Sequence, residues 1–171
     1  LGSNTTGTNN VAVGGGALHS NTTASNNTAI GYRSLKVNTT GHSNVALGVE
    51  ALDANTTATY NTGLGFRTLS DNTTGASNVA VGAGALKTNT TASNNTAVGY
   101  DALFANTTGD GNVAVGVQAL GANTTSAGNT ALGYGAARTT TTGASNTAVG
   151  YLSLKQNTTG HSNVSVGFTA L

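Results

Sequence analysis

Three histidines (His19, His42 and His161) and five carboxylates (Glu50, Asp53, Asp71, Asp101 and Asp110) are the side chains of this 171-residue chain best suited to acid–base or metal chemistry. Cysteine is absent, which removes thiolate nucleophiles, thiolate metal sites and disulfides. No carboxylate pair emerges, and no two histidines stand close enough in the sequence pattern to share a ligand or a nucleophile. The glycine-rich stretches are not followed by the Lys-Ser/Thr that a phosphate loop requires. The expectation is a protein that is not an enzyme and has no catalytic residue, metal site or cofactor. What remains is the chemistry of hydroxyls and amides. Thr-Thr pairs recur throughout, and nine of them follow an asparagine, so that Asn-Thr-Thr also reads as an Asn-x-Thr glycosylation signal.

Those pairs are one part of a repeat. Ala, Gly, Asn and Thr supply 105 of the 171 residues. Asparagine stands at Asn10, Asn27, Asn44, Asn61, Asn78, Asn95, Asn112, Asn129, Asn146 and Asn163, always 17 residues apart. Glycine recurs with the same period from Gly14 to Gly167, and leucine from Leu1 to Leu171 with Ala137 as the one substitute. The chain is ten 17-residue units without insertion or deletion, so each unit must stack in register on its neighbours. Asn-Thr-Thr, β-branched pairs and a glycine in every unit disfavour helix. The predicted fold is all-β: a β-solenoid, of the parallel β-helix or β-roll type, with one coil per unit and ten coils in a single repeat domain over residues 1–171. At about 4.8 Å per coil the rod would be about 48 Å long.

Comparison of the ten copies of each position predicts its direction. Charged residues make up only 6% of the chain, for a net charge of +1. All eleven fall in four position classes, which are read as solvent-facing corners. The same low charge leaves no electrostatic footprint for nucleic acid, and no apolar run reaches the roughly 18 residues of a membrane span. The glycine file is expected to supply corners with φ > 0. The asparagine file, from Asn10 to Asn163, is expected to form a structural ladder of amides bonded from coil to coil. The leucine file and the file Val13, Ile30, Leu47, Leu64, Val81, Val98, Val115, Leu132, Val149 and Val166 are assigned to the core. Between the valines lies a file of small residues: Ala12, Ala29, Ala46, Ala80, Ala97, Ala114, Ala131 and Ala148, with Gly63 and Ser165 completing it. Either it faces inward in a cramped interior, or it faces outward as a chain–chain interface. The expectation is the second, because an outward position on a lone rod should vary and sometimes carry charge.

Three readings of the Asn-Thr-Thr side stand open. Threonine is a good stacking residue in strands. Alternatively, Asn21, Thr22, Thr23, Asn38, Thr39, Thr40, Asn55, Thr56, Thr57, Asn72, Thr73, Thr74, Asn89, Thr90 and Thr91 sample an exposed or glycosylated face, with Asn26 and Asn94 as further signals. Ice binding by ordered hydroxyls is the third, and adjacent threonines that point to opposite faces argue against it. A weaker 34-residue period overlies the repeat: Tyr32, Phe66, Tyr100 and Tyr134 fall on alternate units, and the alternation slips at Tyr151.

Asn-Val-Ala-Val-Gly and Asn-Thr-Ala-Val-Gly resemble the Asn-Ser-Val-Ala-Ile-Gly repeats of trimeric autotransporter adhesin heads. Segments such as Asn89-Thr-Thr-Ala-Ser-Asn-Asn-Thr-Ala-Val-Gly-Tyr-Asp-Ala-Leu103 look like the repeats of phage and bacterial tail-fibre-domain proteins. The resemblance implies a fibre segment outside the cell, on a cell surface or on a virion. It also implies lateral association of identical chains, with a trimer expected; glycans are expected from the Asn-x-Thr signals as covalent decoration, or from the variable corners as ligand of an adhesive shaft. The terminal units are no different from the others, so axial continuation, as in a segment of a longer fibre, is expected as well.

Overall fold

The structure is a computed structural model and describes residues 1–170; Leu171, placed in the leucine file above, lies outside the described residues. Ten short parallel strands stack in sequence order: β1 Val11–Val13, β2 Thr28–Ile30, β3 Val45–Leu47, β4 Thr62–Leu64, β5 Val79–Val81, β6 Thr96–Val98, β7 Val113–Val115, β8 Thr130–Leu132, β9 Thr147–Val149 and β10 Val164–Val166. Each pairs with the next in a register shift of one repeat, Val11 opposite Thr28 and Ala12 opposite Ala29. The chain is a β-solenoid with one 17-residue coil per repeat. Only three residues per coil are strand; turns make up the rest, yet their backbone also bonds from coil to coil, as Leu18 N–H does to Ser34 O and Thr39 N–H to Thr56 O. Sheet-like pairing therefore continues around the coil and leaves few backbone groups unpaired.

Six files point inward. They are the leucines (Leu18 to Leu154), the Ala29 file, the Ala51 file (Ala, Ser or Thr), the Ala58 file (Ala, Gly or Ser), and two asparagine files, those of Asn21 and Asn27. Among the described residues one leucine per coil, replaced once by Ala137, is the only large apolar side chain fully inside. This corrects two expectations. The Ala29 file, from Ala29 to Ala148, is buried in the chain's own interior and not an outward interface; Ala12 is half-buried against the same core. The Val13 file is not core: Val13, Leu47 and Leu132 are 56%, 44% and 48% exposed, and Val11, Val45, Val79 and Val113 are exposed beside them.

The reason is room. A strand alternates its faces, so the Ala29 position and its neighbours cannot both be inside. Beside a leucine in every coil, the interior admits a methyl and nothing larger. A Cβ at Gly63 would lie 2.9 Å from Thr68 Oγ1 and 3.7 Å from Leu52 Cδ1. Where the Ala51 file carries the bulkier Thr68, the Ala29 file accordingly drops to glycine. At Ser165 a hydroxyl fits because Ser153 Oγ meets it at 2.7 Å.

The corners use left-handed backbone, and not only at glycine. The Gly14 file has φ between +119° and +143°, and at Gly14 and Gly82 an added Cβ would sit 2.6 Å from the carbonyl oxygen of the glycine one coil on. The leucines themselves are left-handed, from φ +46° at Leu18 to +54° at Leu154, as is Ala137 at +50°. Such a conformation costs a non-glycine residue about 1 kcal/mol or more. Full burial of a leucine side chain contributes about 2–3 kcal/mol and more than offsets it.

The facing of β6 is directly testable in dilute protein. Ala97→Lys should lose the cooperative unfolding transition around its coil, since an unpaired ammonium would enter a dry interior. Val98→Lys should shift the midpoint of chemical denaturation by no more than about 0.5 kcal/mol equivalent. Equal effects at the two adjacent sites would contradict the inward assignment.

Candidate interaction surfaces

Two buried amide ladders fix the coil before any surface can be presented. In the Asn27 file each backbone N–H donates to the Oδ1 one coil earlier, Asn44 to Asn27 at 2.9 Å and Asn61 to Asn44 at 2.9 Å. In the Asn21 file each Nδ2 from Asn21 to Asn123 donates to the Oδ1 one coil earlier, Asn55 to Asn38 at 2.8 Å and Asn89 to Asn72 at 2.8 Å, until Thr140 interrupts the file. The two files converge on one carbonyl per coil: Ala58 O accepts from Asn44 Nδ2 at 2.9 Å and from Asn55 Nδ2 at 3.2 Å. The fully buried amides of these files, Asn27 and Asn55 among them, bond both along the rod and across the coil, which is how polar side chains are tolerated inside.

This arrangement overturns part of the expected sugar-bearing face. Asn21, Asn38, Asn55, Asn72 and Asn89 are fully buried ladder members, so their Nδ2 atoms have neither room nor a free proton direction for a glycan. Thr22, Thr39, Thr56, Thr73 and Thr90 are half-buried, each Oγ1 donating to the carbonyl of the equivalent threonine one coil on. The second threonines, Thr23, Thr40, Thr57, Thr74 and Thr91, are exposed and belong to an unbroken file running from Thr6 to Thr159. Asn26 and Asn94 are exposed as well, on left-handed corners with φ +63° and +62°.

The histidines lie apart. His42 packs edge-on against Tyr60 with ring centroids 5.2 Å apart, and His161 Nδ1 accepts from Ala144 N–H at 3.1 Å. Among the described residues no three His, Asp or Glu side chains cluster as metal ligands.

Sequence variety concentrates on one edge, formed by the residues just after the Gly14 file and just after the leucines. Arg33, Glu50 and Arg67 form an ion-pair ladder there, with Arg67 Nε 2.6 Å and Arg33 Nη1 3.7 Å from Glu50, and Arg33 Nη2 3.0 Å from Asp53. Aromatic rings share this edge. Phe66 and Tyr100 are 51% and 56% exposed, Arg67 lies over Phe66, and Lys87 lies over Phe104. Phe66, Lys87, Tyr100, Asp101 and Phe104 line a groove of about 300 Å³ where Ala83 and Gly84 leave a gap between rings. Where the alternation slips, the rings fall on consecutive coils and stack: Tyr134 on Tyr151 and Tyr151 on Phe168, each at 5.2 Å.

Opposite in character is the outward face of β1–β10. Two files cover it, one of Val or Thr (Val11 to Val164) and one of Val, Ile or Leu (Val13 to Val166), without a charge at any position. The reading of the sequence that put the valines inside missed this face. The signal was present: threonine on every second copy of the Val11 position is ordinary on a surface and unusual in a dry core.

No protein-family model, curated protein or solved structure matches the chain.

Two outcomes follow from this chemistry. Asn72→Ala would strand Asn55 Oδ1 and take the acceptor from Asn89 Nδ2, and should cost about 2–3 kcal/mol in denaturant unfolding. Asn72→Thr should cost less, because Thr140 already stands in this file with its Oγ1 on Asn157 O at 2.9 Å. Equal losses would mean the ladder is not what the asparagine supplies.

Asp53 supplies the second. Burial pushes its carboxyl above the ordinary value of 3.8; nearby Arg33 and Lys36 pull it down without prevailing, and Glu50 adds to the rise. Its Oδ1 has no partner, so the Arg33 contact does not repay desolvation. A raised folded pKa means the folded state holds the proton longer, so the ionised group opposes folding as pH rises above 3.8. Asp53→Asn should therefore melt at least as high as the parent at neutral pH, with its advantage shrinking as pH falls through the raised folded value and vanishing below pH 3.8. A variant that melts lower at neutral pH and equal in acid would reverse this account.

Proposed function

We propose that the chain is a structural segment of a fibre displayed outside the cell or on a virion, working as a stiff spacer with a repetitive surface. The observation that carries this reading is the unbroken register of ten coils, tied at every step by the Asn27 ladder and backbone pairing around the coil, and as far as Asn123 by the Asn21 ladder as well. A stack of this kind has no hinge: bending it at any coil would break an asparagine bond of the Asn27 ladder, and up to Asn123 one of the Asn21 ladder too. The lack of Cys, Met and Trp removes the side chains most prone to oxidation, as suits exposure outside a cell. Each coil offers the next the same donors and acceptors, which supports axial continuation with further coils. The exposed Thr6–Thr159 file is the place where O-linked sugar would sit on such a rod.

A second reading, an adhesive shaft that binds receptor glycans, is favoured by the variable edge. There exposed rings alternate with small residues and carry cations and a carboxylate beside them, a combination suited to stacking on sugar rings and bonding their hydroxyls. Loss of glycan-array binding in Tyr100→Ala, at unchanged melting temperature, would favour this reading over a plain spacer.

The spacer reading is tested by length. A tandem of two copies, twenty coils, should double the maximum dimension seen by small-angle scattering, about 4.8 Å per added coil, at constant cross-section. Growth with roughly the square root of chain length, as for a flexible linker, would refute it.

A further inference from the structure

We propose that the outward face of β1–β10 is the seat of a second copy of this chain, the two rods pairing face to face about a two-fold axis. This goes beyond the spacer reading, since a single stiff rod would serve as a spacer without pairing. The face is a continuous uncharged strip: twenty positions in two files, aliphatic except for Thr28, Thr62, Thr96, Thr130 and Thr147. Val13, Leu47 and Leu132 remain about half exposed on it. A continuous strip of this kind is uncommon on a monomer and marks an interaction site.

Its shape selects the occupant. The strip is ridged at the strand spacing along the full rod, so the surface that matches it over its whole length is another strip of the same period. With no charge on it, two identical strips meet without repulsion or desolvated ions. Ten strands at about 4.8 Å and three residues at about 3.3 Å give a footprint of about 480 Å² per copy, or about 1,000 Å² for the pair. That is at the low end for a specific interface, so ten coils should pair weakly and longer arrays more tightly.

Geometry also sets the number. One self-complementary face closes against one partner and gives an isologous pair, whereas a ring of three needs two complementary surfaces on each chain. The neighbouring file from Gly15 to Phe168 is also uncharged and largely exposed, but its size changes from coil to coil, from Gly15 to Tyr32 and from Ala83 to Tyr100, so it offers no second strip of even one-coil period.

Sedimentation equilibrium across a wide concentration range provides the test. The wild-type chain should move from 16.6 kDa toward twice that mass, and the twenty-coil tandem should pair at least tenfold more tightly. The triple variant Leu47→Lys, Val79→Lys, Leu132→Lys should stay single at the same concentrations with an unchanged melting curve at low concentration, because these side chains are exposed in the lone rod. Thr91→Lys, on the exposed threonine file, should pair like the wild type. A wild type that remains at 16.6 kDa throughout, a species of three chains, or a lysine variant that pairs unchanged would each overturn the proposal. So would a single rod whose thermal hysteresis is abolished by the same lysines, which would assign the face to ice. The scattering test of rod length is independent: a stiff rod that never pairs refutes this inference alone.

Discussion

The interior of a 17-residue coil holds one leucine, two asparagines and three small side chains, and the rest of the molecule is shaped by how little room that leaves. A conventional core gains stability from large apolar side chains interdigitating in three dimensions. Here each layer is one coil thick and has a single branched aliphatic to bury. Polar groups must then enter the interior, and they are acceptable only because each repeats at the spacing of the coils. Asn44 finds Asn27 below it and Asn61 above it, so a donor always faces an acceptor.

The same narrowness accounts for the backbone strain. Turning a chain through a whole coil in 17 residues needs sharp corners, and the left-handed conformation supplies them at the glycine file and at the leucines. Leucine is an unfavourable choice for such a corner by itself. It holds because the turn aims its side chain at the axis, where burial offsets the conformational cost. The corner glycines are constrained twice, by φ and by the carbonyl of the next coil pressing where a Cβ would be.

With the interior committed to stacking, variation is pushed to the outside, and the outside is divided. One edge carries the ion pairs, rings and grooves; one file carries bare threonine hydroxyls; one face carries uncharged aliphatics and threonines. These surfaces run the length of the rod. Any partner would therefore meet them as repeated, weak and additive contacts, in contrast to a single pocket with converging groups.

The sequence by itself determined the period, the number of coils, the parallel β-solenoid, the left-handed glycines and the asparagine file, because these follow from which residue types recur at which spacing. It also placed the charged positions outside, since no charge recurs in a file that the fold buries deeply. Which face of each strand is inside was another matter. Val-Ala-Val alternates correctly in either orientation, and side-chain hydrophobicity alone favours the valines inward. Only the three-dimensional coil showed that Leu52 and Thr68 already fill the space beside Gly63, so that the Ala29 file must turn in and the valines out. The Asn-Thr-Thr segments were ambiguous for the same reason. An asparagine followed by threonine is a surface signal when its amide is free, and the amide of Asn55 is not free once Asn38 and Ala58 lie within bonding distance. Volume and hydrogen-bond partners belong to neighbours that the closed coil brings together, from Ala58, 3 residues from Asn55, to Asn38, 17 residues away, and a local reading of the chain does not contain that closure.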